Sequence, residues 1–172
     1  EFTPMSYQEK KTLTSIVSGI LVLAAYCLYA FNPTRLSSIA EGGLKQWAIT
    51  MLVFIGIGIV FMIIIQIVFH ILFSISVAVQ EKIRNNDTDD VSIENNIKFE
   101  MVEDERDRLI ELKSNRVGFA VAGLGFVTAL VSLVLDYSPT VMLNIIFLSS
   151  SFGSICEGFF QLFYYRRGGL NA

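Results

Sequence analysis

Histidine occurs once in this 172-residue chain, as His70, and there are only two cysteines, one tryptophan and three prolines. Cys27 and Cys156 both lie inside apolar runs, so neither a disulfide framework nor a spaced zinc-ligand set is expected. Scarce proline leaves long helices uninterrupted. Charge is thin as well: Asp, Glu, Lys and Arg make up 17% of the residues, against about 25% in typical soluble domains. The net charge of −3 offers no basic footprint for nucleic acid. Nucleophilic catalysis has no support, because no Ser-His-Asp set, glycine-rich phosphate loop or pair of catalytic carboxylates is in place. Gly56-x-Gly58 falls within an apolar run, not at a strand-to-helix junction. The expected protein is non-enzymatic, with no cofactor and no metal.

Long hydrophobic stretches are abundant. Hydrophobic residues make up 53% of the chain, which describes one integral membrane domain. Four apolar runs stand out: 12–31, 47–79, 117–135 and 141–165. The first stops at Asn32-Pro33, the third at Asp136, and the fourth opens after Pro139 and stops at Arg166-Arg167. In hydrocarbon every backbone amide needs an internal partner, so such runs must be helices. Residues 1–4 precede Met5 and include Glu-Phe, the translation of a common cloning site, so they read as a cloning scar. The first run is longer than a signal-peptide core and no small-residue cleavage site follows it, so it is kept as a helix. The expected unit is one four-helix domain over 5–172.

Lysine and arginine set the orientation. Eleven of the 13 fall in the N-terminal segment, in 80–116 or after the fourth run; only Arg35 and Lys45 lie on the other side. Both termini and the 80–116 segment are therefore expected in the cytoplasm. Tyr29, Trp47 and Tyr137 would mark the outer interface, and Tyr164 and Tyr165 the inner one.

The second run, uncharged apart from any proton on His70, is the one around which the other helices are expected to gather. At 1.5 Å per residue it spans roughly 50 Å, against a bilayer core of about 30 Å. Tilt absorbs only part of the excess. The end from about Val68 to Arg84 should project below the membrane, with Ile71, Leu72, Phe73, Ile75 and Val77 in need of cover. The stretch Ile97–Arg116, free of Gly and Pro, is the expected cover and should run straight into helix three. It offers Ile97, Met101, Val102, Leu109, Ile110 and Leu112, with helix-spaced pairs Asp104–Arg108 and Glu103–Arg106. The fold class is thus all-α: four transmembrane helices in two hairpins, helices two and three extended into a cytoplasmic helical stalk. Asn85–Asn96 is its expected polar tip. Asp87, Asp89, Asp90 and Glu94 do not make an EF-hand there, since no Gly follows and Lys98 stands where the closing Glu belongs. The two halves share a rhythm of charged lead-in, helix, turn and helix, which would suit a parallel repeat.

Glu157 is the sharpest polar feature, a carboxylate within FGSICEGFFQ. Such a group is costly in a bilayer and must face protein or water. Gln66 and His70 share a face of helix two, and Gln161 follows Glu157 by one turn, so an intramembrane cluster of Glu157, His70, Gln66 and Gln161 is geometrically allowed. It reads either as a proton or cation site, or as an interhelical hydrogen bond. A third possibility pairs Glu157 with Arg166 or Lys113 at the inner interface. Ser150, Ser154 and Gly158 form a small-residue stripe on helix four. Gly118 with Ala122, and Gly125 with Ala129, do so on helix three; such stripes let helices approach, within the bundle or in a homodimer. Asn144 is placed to cap or to bond between helices.

The run Asp104-Glu105-Arg106, then Ile110, Lys113 and Arg116, leading into a transmembrane helix, resembles a signature of small bacterial multi-pass membrane proteins with a domain of unknown function. The resemblance implies a small helical protein of the bacterial plasma membrane, sometimes encoded beside a DNA-binding regulator, and supplies no catalytic residues. The expected function is a non-enzymatic sensor, anchor or immunity-type role. Its cytoplasmic stalk, carrying Asp104, Glu105, Arg106, Arg108, Leu109, Lys113 and Arg116, would bind a protein partner. The alternative is a small oligomeric transporter or channel using Glu157 and His70.

Overall fold

A computed structural model of the chain describes residues 5–33, 43–84 and 90–168. Residues 1–4, expected to be a cloning scar, Arg35 and Gly42 between the first two helices, and Asp87 and Asp89 lie outside the described residues. Those described form helices α1 (Tyr7–Ala30), α2 (Gly43–Arg84), α3 (Asp90–Met101), α4 (Glu105–Val134) and α5 (Pro139–Gly168). Four of them, all but α3, are long and apolar enough to cross a membrane.

Capping chemistry fixes where the helices begin and end. Ser6 caps α1 in a reciprocal box: its Oγ accepts from the Glu9 amide, and Glu9 Oε2 accepts from the Ser6 amide at 2.8 Å. Asp104 and Asp107 make the same box at the start of α4. This box ends the continuity expected from Ile97 to Arg116: the chain leaves helix at Met101 and re-enters it at Glu105. A carboxylate satisfying the first free amides of α4 outweighs helix propensity through 102–104. Neither Asp104–Arg108 nor Glu103–Arg106 forms an ion pair; Asp104 is occupied by the cap, and Glu103 meets Lys11 at 3.2 Å. At the other end of α4, Asp136 takes φ 62°, with the Tyr137 amide donating to Ser132 O and the Asp136 amide to Leu133 O. This is the Schellman stop, with a small polar residue tolerating the left-handed position. Pro139 then opens α5, where its missing N–H costs nothing.

The centre of the bundle is α5, not α2. α5 packs against α4 over most of its length and also against α1 and α2, while α1 bridges α5 and α2. The most apolar stretch of α2 has no residue buried inside the protein. Its all-round apolarity is not answered by the other described helices, and suits a lipid surrounding. The α4–α5 contact is made by backbone. A Cβ added to Gly153 would meet Gly118 O at 2.7 Å, and one added to Gly125 would run into Ser149. The α1–α2 contact is made instead by rings, so the two halves do not pack alike: Tyr7 touches Phe69 and Phe73, and Tyr26 touches Phe54.

Side-chain contacts put the helices in register. At one end Tyr26, Ala30, Trp47 and Met51 form a buried cluster with Leu143 and Phe147. Trp47, 4% exposed, is therefore core and not an interfacial anchor. Tyr26 Oη donates to Asn144 Oδ1 at 2.8 Å, so Asn144 bonds between helices. At the basic end the Tyr7 hydroxyl lies 2.8 Å from His70 Nδ1, and Arg166 lies 3.7 Å from Glu9. From Trp47 to His70 is about 35 Å of helix, close to a bilayer core. The remainder of α2, from Ile71 to Arg84, runs on for roughly 20 Å past the level of the α1 start. Phe73 and Val77 in that remainder are covered by Tyr7, Ile97 and Met101. The cover thus comes from α1 and α3. Leu109 and Leu112 stay exposed, and α4 packs on α5 instead of α2.

Candidate functional site: a polar cavity between three helices

α1 and α4 both lie on α5 yet hardly touch each other. At the basic end the gap between them is a cavity of about 150 Å³. Each wall is a single stripe. α1 contributes Gln8, Lys11, Thr12 and Ser15, spaced to share one helical face. The α4 side contributes Glu103, Asp107 and Glu111, and α5 contributes Glu157, Gln161 and Tyr165, both sets at intervals of four. Four carboxylates and one ammonium line this space.

Glu157 is placed by the close α4–α5 contact. Ser149, Gly153 and Glu157 occupy successive turns facing α4, and a Cβ on Gly118 would stand 2.9 Å from Glu157 Oε2. Glycine at 118 leaves the carboxylate room to reach the cavity, so Glu157 faces polar groups and not acyl chains. Its expected cluster is divided. Gln161 joins it in the cavity wall, but His70 goes to the Tyr7 hydroxyl, and Gln66 donates to Ser15 Oγ at 2.8 Å. At this level the partners of α2 come from α1, through Tyr7 and Ser15. Among the described residues Glu157 pairs with neither Arg166, which meets Glu9, nor Lys113.

The small-residue stripe is also displaced. Ser150 and Ser154 are exposed, each one position along from the residues that face α4. Gly158 packs on α1, where an added Cβ would meet Ile16 Cγ1 at 2.6 Å. Gly118 and Gly125 do serve the α4–α5 contact, with Ala129 fully buried and Ala122 beside Gly153.

Two features of the cavity bear on its chemistry. Lys11 is engaged by Glu103, which leaves Asp107, Glu111 and Glu157 without a basic partner among the described residues. Gln8 is 8% exposed, and its Nε2 is buried with no hydrogen-bond acceptor. A buried donor left unmade is costly, typically by about 1–3 kcal/mol. Among the described residues no group of three His, Cys, Asp or Glu side chains converges closely enough to hold a metal ion. At the expected polar tip, Asp90 already belongs to α3, and Glu94 pairs with Lys98 at 2.7 Å. That hydrogen bond holds the Glu94 carboxyl below its ordinary range.

The stripes were readable in the sequence as intervals of four at 103, 107 and 111 and at 157, 161 and 165. What the sequence lacked was any sign that α1 would supply the partners of Gln66 and His70. No protein-family model matches the chain, and no curated protein and no solved structure matches it either.

Proposed function

We propose that the chain is a non-enzymatic protein of the bacterial plasma membrane, with both termini in the cytoplasm, and that its cytoplasmic helical extension docks a protein partner. The orientation rests on the eleven-to-two distribution of Lys and Arg. One observation carries the docking reading. Beside and beyond the start of α1, Ile83 is 81% exposed, Phe99 84% and Val102 66%, on segments rich in charge. α3 uses Ile97 and Met101 to cover α2 and turns Phe99 away. Large apolar side chains left uncovered on the aqueous side mark an interaction surface. Glu105, Arg106, Arg108, Lys113 and Arg116 are exposed near by, with Leu109 among them, which suits a polar rim around apolar anchors. A sensor, anchor or immunity-type role fits such a surface. We prefer this reading to the transporter alternative because His70 meets the Tyr7 hydroxyl while Glu157 lines the cavity.

The test is photo-crosslinking in cells from positions 99 and 109, with position 63 on the lipid-facing side of α2 as control. The expected result is one protein adduct from 99 and 109, absent from 63 and reduced about tenfold by Ile83→Asp, the size of effect one buried anchor gives. Recovery of lipid adducts alone would sink the reading, and an adduct to a second copy of the chain would reassign the surface to self-association.

A further inference from the structure

Towards the end away from the charges, the α4–α5 hairpin carries a lateral groove. Two adjoining gaps of about 280 and 460 Å³ form it, and they share Thr128 and Ile145. Tyr137 stands at its mouth, and Leu23 of α1 and Phe152 of α5 lie at its deep end. On α5 the lining runs from Val141 to Phe152, about 16 Å of helix, which is close to half the depth of a bilayer core. The hydroxyls in its walls are spent on their own helices. Thr128 Oγ1 donates to Leu124 O at 2.8 Å, Ser132 Oγ to Ala129 O at 2.7 Å and Ser149 Oγ to Ile146 O at 3.1 Å. Among the described residues no charged side chain lines the groove. A polar solute or an ion would lose its hydration there without compensation, so the occupant is apolar. Size separates the apolar candidates. A helix of the same length fills a cylinder about 10 Å across, roughly 1,300 Å³, more than both gaps hold. Benzene in a cavity of about 150 Å³ sets the need of a carbon atom at about 25 Å³, so the larger gap takes roughly eighteen carbons.

We propose that this groove binds one acyl chain of a phospholipid from the leaflet on the Tyr137 side. Tyr137 lies at the level of the lipid's glycerol, and the chain ends against Leu23 and Phe152. The length of the groove, one leaflet, is what an acyl chain occupies and half of what a spanning helix must cross. On the orientation proposed above the leaflet is the outer one; the fit of the chain is the same on either side. The bound chain packs where α1 and α4, which hardly touch each other, leave the flank of α5 open.

The experiment takes the full chain in mild detergent and counts retained phospholipid by native mass spectrometry, at collision energies that strip loosely held lipid. Dipalmitoyl and dioctanoyl phosphatidylcholine are the probes, dosed separately. The wild type is expected to keep one dipalmitoyl lipid per chain and to hold the dioctanoyl lipid about tenfold less well, the worth of about ten carbon contacts left unmade. Thr128→Trp and Val131→Trp put a ring into the groove from exposed positions of α4, and each should lower retention about tenfold with the circular dichroism unchanged. Ile63→Trp, on the lipid-facing side of α2, should leave retention as it is. Loss of lipid from the wild type at the same energy as from the two groove variants would overturn the proposal. So would equal retention of the long and short chains. A lipid-free dimer that Thr128→Trp or Val131→Trp dissociates would overturn it as well, and assign the groove to a second copy of the chain.

Discussion

Tyr26 on α1 and Asn144 on α5 share a hydrogen bond of 2.8 Å inside a fully buried setting, and this bond joins the two halves of the chain at the end away from the charges. Asn144 holds the same geometry from its other side, donating through Nδ2 to Thr140 O. Tyr26→Phe keeps the ring contacts with Phe54 and Phe147 and removes only the bond. It should cost about 0.6–1.5 kcal/mol. Tyr26→Ala, which also empties the ring site, should cost about 3–5 kcal/mol. Unfolding in mixed detergent micelles, followed by circular dichroism, measures both.

The glycines divide into two groups that should behave oppositely. Gly153→Ala pushes a methyl group against Gly118 O and should destabilise by about 1–3 kcal/mol. Gly123→Ala and Gly56→Ala meet nothing within 4 Å and should be neutral or slightly stabilising, by up to about 1 kcal/mol. A loss of stability at Gly123 equal to that at Gly153 would mean that the face of α4 turned to α5 has been misassigned.

Tyr7 and His70 should couple, and His70 and Glu157 should not. A double-mutant cycle with Tyr7→Phe and His70→Ala should return about 0.6 kcal/mol, a typical value for a polar pair between membrane helices. The cycle with His70→Ala and Glu157→Gln should add to within about 0.5 kcal/mol. Strong coupling in the second cycle would restore the single cluster that the sequence suggested.

Asp104→Ala removes the cap of α4 and should cost about 1 kcal/mol. Hydrogen exchange should quicken at the first-turn amides of α4, including Asp107, and leave α5 untouched. Protection unchanged at Asp107 would mean that the break at 102–104 does not depend on its carboxylate.

The four long helices and their approximate limits could be read from the sequence, because uncharged runs of such length have one physical solution in lipid. The break before α4 was also encoded, by the Asp at both ends of a capping box, but helical charge spacing through 97–116 masked it. Neighbour relations could not be read. A helix apolar on every face, like α2, carries no signal for which side meets protein. That is why the sequence allows His70 and Gln66 a place beside Glu157, whereas their partners are Tyr7 and Ser15. Which small residues of α5 face α4 was hidden for a similar reason. Small residues at 149, 150, 153 and 154 offer two registers, and only the fit of Gly153 against Gly118 decides between them.

α5 is the helix against which α1, α2 and α4 all pack, and it is also the last of the five to leave the ribosome. During synthesis α1 and α2 must therefore wait for it, held together by their ring contacts and by the bonds of Tyr7 to His70 and Gln66 to Ser15. A ribosome stalled before Pro139 would expose α1 with the faces meant for α5 still unmated. Assembly of the four long helices thus turns on the arrival of α5.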